Sequence, residues 1–291
     1  MDSSLIQFLS SGLTEGSRYA LAALGFTLIY NASGVINFAQ GESIMLGGFV
    51  AAVAHAAGTP LPLAILLSLG VAVAASLLLQ SLAVRTQARS GVLTVIIMTA
   101  AFGIVLRGLV HAIWGTHTRT LPPFSGSEPI RFLGGTILPQ TLWVIGVTAV
   151  LLLALHAFFR YSRAGRAFLA TAADAGTASL MGINVRRILM LAFGFAGLFG
   201  AVAGVVTTPL TTTAFDAGVL VGIKAIIAAI FGGMGSVTGA VLAGLILGIV
   251  EALTAGYVSS AYKDTVPFIV IVLVLLFRPN GLFGKPRLER V

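Results

Sequence analysis

The chain has 291 residues, of which 57% are hydrophobic and 9% charged, with no cysteine and a formal net charge of +8. An average soluble domain is about 25% charged, so this composition excludes a water-soluble fold with an ordinary polar surface, and the missing thiols exclude disulfides and thiolate metal sites. The surplus Lys and Arg fall in a few short segments between apolar runs, which is how charge orients a membrane protein, and not on the broad basic face that nucleic acid would require.

The N-terminal stretch "MDSSLIQFLSSGLTEGSRYA" lacks the basic region and small-residue cleavage site of a signal peptide, so the first apolar segment is expected to be retained. Nine apolar segments follow, at roughly 11–31, 36–57, 61–84, 92–115, 138–159, 188–209, 217–232, 238–257 and 265–278. Several approach the ~20 residues that cross a bilayer. Their hydrophobicity is continuous and does not alternate, which favours helices over a barrel. The expected fold is all-α: a polytopic transmembrane helical bundle with about nine spans, some broken or re-entrant, in one domain over residues 1–291. The 204–237 region is the main candidate for a re-entrant segment.

Basic residues set the orientation. Segment 160–187 holds Arg160, Arg163, Arg166, Arg186 and Arg187 against one acid, Asp174. "RTQARSG" adds Arg85 and Arg89, and the tail adds Arg278, Lys285, Arg287 and Arg290. With all three segments cytoplasmic, nine spans put the N-terminus outside and the C-terminus inside. The loop 116–137, "THTRTLPPFSGSEPIR" in its middle, is then an outer loop, with Trp114 and Trp143 near its membrane ends.

Two breaks interrupt this pattern. "NASGVINFAQGE" (31–42) separates the first two apolar segments, and "FGGMGSVTGA" (231–240) separates the seventh and eighth. Glycine-interrupted segments at corresponding places in two halves point to a transport path, so 11–57 and 217–257 are read as pseudo-repeated halves. Two tight helix turns without functional meaning are the alternative. At a break, backbone groups leave regular pairing, which is tolerable only against protein or a wet cavity. Asn37, Phe38, Gln40 and Glu42 are therefore expected at a translocation path or its inner gate, and Asn37→Leu and Gln40→Leu are expected to reduce transport while leaving assembly intact.

Charges at bilayer depth cost about 2.5–3.5 kcal/mol each and need a reason. Lys224 lies about 12 Å from the outer end of its span and Glu251 about 9 Å from that of the next. They reach similar depths, and either lock the hairpin as a pair or face a water-filled cavity. Glu42 is either an acid satisfying a helix N-terminus or a gate residue. Glu15 and Arg18 are spaced as an interfacial pair, and Arg107 is expected to snorkel to the headgroups.

The stretches "GLTEGSRYALAALGFTLIYNASGVINFAQGESIMLGGF", "GIKAIIAAIFGGMGSVTGAVLAGLILGIVEAL" (222–253) and "FIVIVLVLLFRPNGLFG" (268–284) resemble the LivH-type permease subunits of bacterial branched-chain amino acid ABC importers, over nearly the whole chain and in order. Gln40 departs from the "INFAHGE" of many relatives; it can hydrogen-bond but cannot be protonated. The resemblance implies a bacterial inner-membrane permease that pairs with a homologous LivM-type permease, two cytoplasmic ATPase subunits and an extracytoplasmic substrate-binding protein. Relatives handle leucine, isoleucine and valine, and also urea, short amides or aromatic acids. The chain itself has no G-x-x-x-x-G-K-[ST] phosphate loop, so ATP hydrolysis is expected in partners, and no cofactor is expected. By the same resemblance 160–187 is the cytoplasmic coupling loop, with Arg166, Asp174, Gly182 and Ile183 at the ATPase contact; a passive connector is the alternative. An autonomous secondary transporter would require more mid-membrane acids than the chain has. An intramembrane metalloenzyme is disfavoured because His55, His111, His117 and His156 lack metal-ligand spacing.

Overall fold

A computed structural model describes residues 3–132 and 135–284. Lys285, Arg287 and Arg290 lie outside the described residues, as do the side chains of Arg85 and Arg89. The fold is helical. α1 (Ser3–Ser33) leads through a non-helical stretch to α2 (Gln40–Ala56), and α3 (Leu61–Trp114) follows. As one rod α3 would run about 80 Å. It is turned at Gly91, whose φ of 80° and ψ of 179° only glycine adopts freely, into an apolar pair Leu61–Ala83 and Gly91–Trp114. After a short hairpin of β1 (Ile130–Phe132) and β2 (Gly135–Ile137) come α4 (Pro139–Tyr161), α5 (Arg163–Ala173), α6 (Ala175–Leu180), α7 (Val185–Thr211), α8 (Ala217–Gly232), α9 (Val237–Tyr257) and α10 (Thr265–Phe277).

All nine apolar segments lie in these helices. Among the described residues five helices are long and apolar enough to cross a membrane: Leu61–Ala83, Gly91–Trp114, Pro139–Tyr161, Val185–Thr211 and Val237–Tyr257. Residues 36–39 are not helical, so the second segment begins at Gln40, four residues later than its hydrophobicity suggests. Among the described residues the antiparallel hairpin, with Ile130 opposite Ile137, and isolated bridges joining Arg119 to Thr213 and Phe124 to Gly126 depart from an all-helical expectation.

Helix packing relies on small residues, because lipid supplies no hydrophobic drive between apolar helices. Gly12, Gly16 and Ala20 of α1 meet Gly244, Gly248 and Ile249 of α9 backbone to backbone. Gly47 and Gly204 do the same between α2 and α7, and Gly197 lets α7 approach Ala72 and Ser76 of α3. The hydroxyls in these helices turn inward to their own backbones. Thr27 donates to Ala23 O at 2.8 Å, Thr207 to Ala203 O at 2.7 Å and Thr254 to Val250 O at 2.7 Å. Each is thereby satisfied without water.

The breaks that precede short helices fall at 34–39 and 212–216. α1 ends in a break (34–39) before the short α2, and α7 ends in a break (212–216) before the short α8. α1 then packs along α9 as α7 packs along the first half of α3, and α2 contacts α7 as α8 contacts α1. The break at 231–240 is instead a tight turn, with Gly233 at φ 100° and Gly235 at φ 96° and Ser236 Oγ accepting from Gly239 N at 3.1 Å.

The three quoted stretches converge at this turn. Asn31 donates to Gly235 O at 2.9 Å, while Leu282 N and Phe283 N donate to Phe231 O and Gly232 O at 2.8 and 3.2 Å. Sequence features about 200 residues apart are thus one local structure.

A Cβ on Gly248 would strike the backbone of Gly16, whereas Gly146 on α4 has nothing within 4 Å. Gly248→Val is expected to cost at least about 1–3 kcal/mol by overpacking, and Gly146→Ala to gain up to about 1 kcal/mol in helix propensity. Thermal unfolding in detergent should move in opposite directions for the two variants.

Candidate functional site

Two groups of charges lie inside the helical body. In the first, Lys224 of α8 donates to Glu251 Oε1 of α9 at 2.7 Å, to Asp264 Oδ1 just before α10 at 2.6 Å, and to Tyr19 Oη of α1 at 3.1 Å. Tyr19 in turn donates to Glu251 Oε2 at 2.8 Å. All three ammonium protons have acceptors, which is what allows a lysine only 4% exposed to sit in an apolar helix. The hydrogen bond from Lys224 holds the Asp264 carboxyl below the usual carboxylate range. This group forms one wall of a cavity of 630 Å³ that Glu15, Arg18, Asp216, Lys263 and the 211–213 threonines also line. Glu15 and Arg18 pair at 3.5 Å on its edge.

The second group is smaller. Glu42, two residues into α2, stands 3.2 Å from Arg107 of α3. Arg107 thus turns to a carboxylate and does not snorkel to the headgroups. The pair borders a separate cavity of 360 Å³ whose other walls are mostly apolar, from Phe26, Phe38, Ala100, Ile104, Ile223 and Ile226. Between the two groups the first turns of α2 and α8 cross with Gly41 against Gly218 and Gly222, where a Cβ on Gly41 would collide with Gly218 O. No side chain separates the two helices at that point.

The residues singled out around the first break divide into two kinds. Phe38, half-exposed, and Glu42 line the second cavity. Asn37 and Gln40 are buried away from both charged cavities. Asn37 Oδ1 accepts from Ala39 N at 3.0 Å and starts the first turn of α2. Gln40 is wedged against Gly25 of α1 and donates to Ala196 O of α7 at 2.8 Å. Gln40 therefore braces three helices. Gln40→Leu removes the side-chain donor to the Ala196 carbonyl and leaves that carbonyl only its helical bond, a loss of about 0.5–1.5 kcal/mol, so this variant is expected to lose thermal stability along with transport. A melting temperature equal to that of the unmodified chain would remove the bracing role.

Tyr19 and Asp264 were not legible as site residues. Tyr19 lies in α1, 205 positions from Lys224, and Asp264 at the end of a span. The only signal for them is a buried Lys224 with three donors and a single carboxylate in its hairpin.

Segment 160–187 forms α5 and α6. Ser162 Oγ accepts from Gly165 N at 2.8 Å and starts α5, while Asp174 Oδ1 accepts from Thr177 N at 2.7 Å and starts α6. That hydrogen bond holds the Asp174 carboxyl below its ordinary range, so the cap persists at neutral pH and is lost only as pH falls through the lowered value. Gly182, at φ 82°, ends α6, and Leu180 and Met181 are 89% and 79% exposed there. Ile183 packs back toward Phe168 and Ile188, and Arg166 faces outward on α5.

Residues 8–275 match the family model described as branched-chain amino acid transport system / permease component. The chain is 37% identical over 302 aligned residues to the high-affinity branched-chain amino acid transport system permease protein LivH of Escherichia coli, covering 98% of this chain and 97% of that one. It is 34% identical to the corresponding permease protein BraD of Pseudomonas aeruginosa, covering 98% of each. A solved structure of PsaBC from Streptococcus pneumoniae in complex with Fab contains a chain of similar fold, with a TM-score of 0.50 at 16% identity over 94% of this chain and 95% of that one. At that identity the likeness concerns the fold alone.

Proposed function

Since the chain belongs to the permease family of branched-chain amino acid transport systems, we propose that it forms half of the translocation path of an ATP-driven importer for branched-chain or related hydrophobic amino acids. The observation that carries this reading is the pair of breaks. Two short helices, α2 and α8, start inside the body and meet backbone to backbone between two charge-bearing cavities. Irregular backbone and charges at that depth are supported where they line a solute path.

The apolar segments lie in the inner membrane, with α2 and α8 starting within it, the N-terminus outside, and the C-terminus and the basic 160–187 segment cytoplasmic. α5 and α6 then offer Leu180 and Met181 to an ATPase subunit, with Arg166 on the outer face of α5. A LivM-type permease completes the path, a second ATPase serves that half, and an extracytoplasmic binding protein delivers the solute. Lys224, Glu251, Tyr19 and Asp264 join α1, α8, α9 and α10 at the outer cavity and hold its shape.

The test is uptake of radiolabelled leucine into liposomes holding this chain, its permease partner, the ATPases and the binding protein, with ATP trapped inside. ATP-dependent uptake that disappears when any component is omitted is the expected result. Uptake by this chain alone, without ATP, overturns the reading.

A further inference from the structure

We infer that the cavity beside Glu42 and Arg107 recognises an aliphatic amino acid as a zwitterion, with its ammonium at Glu42, its carboxylate at Arg107 and its side chain against Phe38, Ile104 and Ile226. This rests on the permease reading and assigns the solute-binding place within it.

Three observations carry the inference. The first is charge. Opposite charges stand 3.2 Å apart at one end of the cavity, and the rest of its lining is almost wholly apolar. A molecule with adjacent positive and negative ends and a branched hydrocarbon tail has the complementary pattern. The guanidinium presents several donors, more than one carboxylate uses, so Arg107 can hold a second carboxylate beside Glu42.

The second is an unused acceptor. Glu42 is 4% exposed, yet its Oε2 has no hydrogen-bond partner, and its contact with Arg107 runs through Oε1. Arg107 Nε also lacks a well-aligned hydrogen bond. Buried polar groups are nearly always satisfied. A pair whose only task was to lock α2 to α3 would be expected to use these atoms, as the Lys224 group does with each of its ammonium protons. A ligand ammonium completes Glu42.

The third is room and access. The cavity measures 360 Å³ and is open on one side, where Phe38, Ile104 and Ile223 are about half-exposed or more. Glycines floor it: Gly41, Gly103 and Gly222 keep side chains out of the space next to the pair.

The cysteine-free chain permits a direct test. Ile104→Cys in the assembled complex is labelled with a membrane-impermeant thiol reagent while the transporter turns over, with leucine, leucinamide or 4-methylpentanoate added. The labelling rate is expected to fall severalfold with leucine and to be unchanged with the two singly charged analogues. Equal protection by all three, or by none, overturns the inference.

A charge exchange separates recognition from a structural lock. The double variant Glu42→Arg/Arg107→Glu restores an ion pair, and is expected to restore assembly and melting temperature relative to Arg107→Gln while leucine uptake stays at least tenfold down. Full uptake by the exchanged pair would show a lock and sink the site. ATP-dependent leucine uptake by the unmodified complex is measured alongside: if it fails, the permease reading fails, whereas uptake without protection of Ile104→Cys removes the zwitterion site alone.

Discussion

Lys224→Met is expected to destabilise the protein by about 3–5 kcal/mol, the cost of leaving one member of a buried ion pair alone. The substitution keeps the volume and length of the side chain but removes the cation that, among the described residues, alone reaches Glu251, Asp264 and Tyr19 together. Glu251, 7% exposed, would then keep a single donor, the Tyr19 hydroxyl. The expected sign is a marked fall in melting temperature and in folded yield from membranes. Replacing both partners, as Lys224→Met/Glu251→Leu, removes the stranded charge and is expected to recover most of the loss, since apolar pairs of similar size often match a buried ion pair. Recovery of stability without recovery of uptake would assign the group a role in the 630 Å³ cavity. Recovery of both would make it a lock between α8, α9 and α10. An unchanged melting temperature in the single variant would contradict the buried geometry itself.

The second large effect is expected at the end of α6, in the segment proposed to be cytoplasmic. Leu180 and Met181 end α6 almost fully exposed, beyond a helix that Asp174 caps and Gly182 terminates. The described residues barely cover their side chains, so Leu180→Asp/Met181→Asp should leave the melting temperature unchanged. If they are the apolar anchors of an ATPase contact, the loss is that of an interface hot spot, about 2 kcal/mol or more, which is roughly thirtyfold in affinity. Uptake and solute-stimulated ATP hydrolysis by the complex are expected to fall together, with the ATPase subunits' own turnover unaltered. Normal uptake by this variant would make 160–187 a passive connector.

Much of the architecture could be read from the sequence because hydrophobicity and glycine report directly on it. Continuous apolar runs located all nine segments, since a helix in lipid must be apolar along most of its length. The break at "NASGVINFAQGE" was legible because Gly34 and the polar residues there cannot all be satisfied in an apolar helix, and Gly34 adopts φ 70°. Less legible was the register between distant segments. The sequence puts Lys224 and Glu251 in adjacent spans, but Tyr19 and Asp264 join them only because α1 and the start of α10 fold against the same hairpin. Arg107 illustrates the same limit: read alone it is a long cation near a helix end, and its partner lies 65 positions earlier. Asn37 and Gln40 show the converse. Polar side chains also serve a break's own backbone, as Asn37 does by accepting from Ala39 N, whereas Gln40 reaches across to the Ala196 carbonyl of α7. The two glycine-rich breaks look alike in sequence. One is a non-helical stretch over 34–39 and the other a tight turn over 233–236, and only the structure separates them.

The crossing of Gly41 with Gly218 and Gly222 has a mechanical consequence. Two helices that touch through side chains have slack, because rotamers absorb small displacements before either axis moves. Here the touching surfaces are peptide groups, which have no rotamers and little compressibility. A push on the first turn of α8 therefore reaches the first turn of α2 without play. Asp216, at the wall of one cavity, stands two residues before Gly218, and Glu42, at the wall of the other, stands one residue after Gly41. A change in one cavity that shifts either first turn is therefore expected to be felt at the wall of the other.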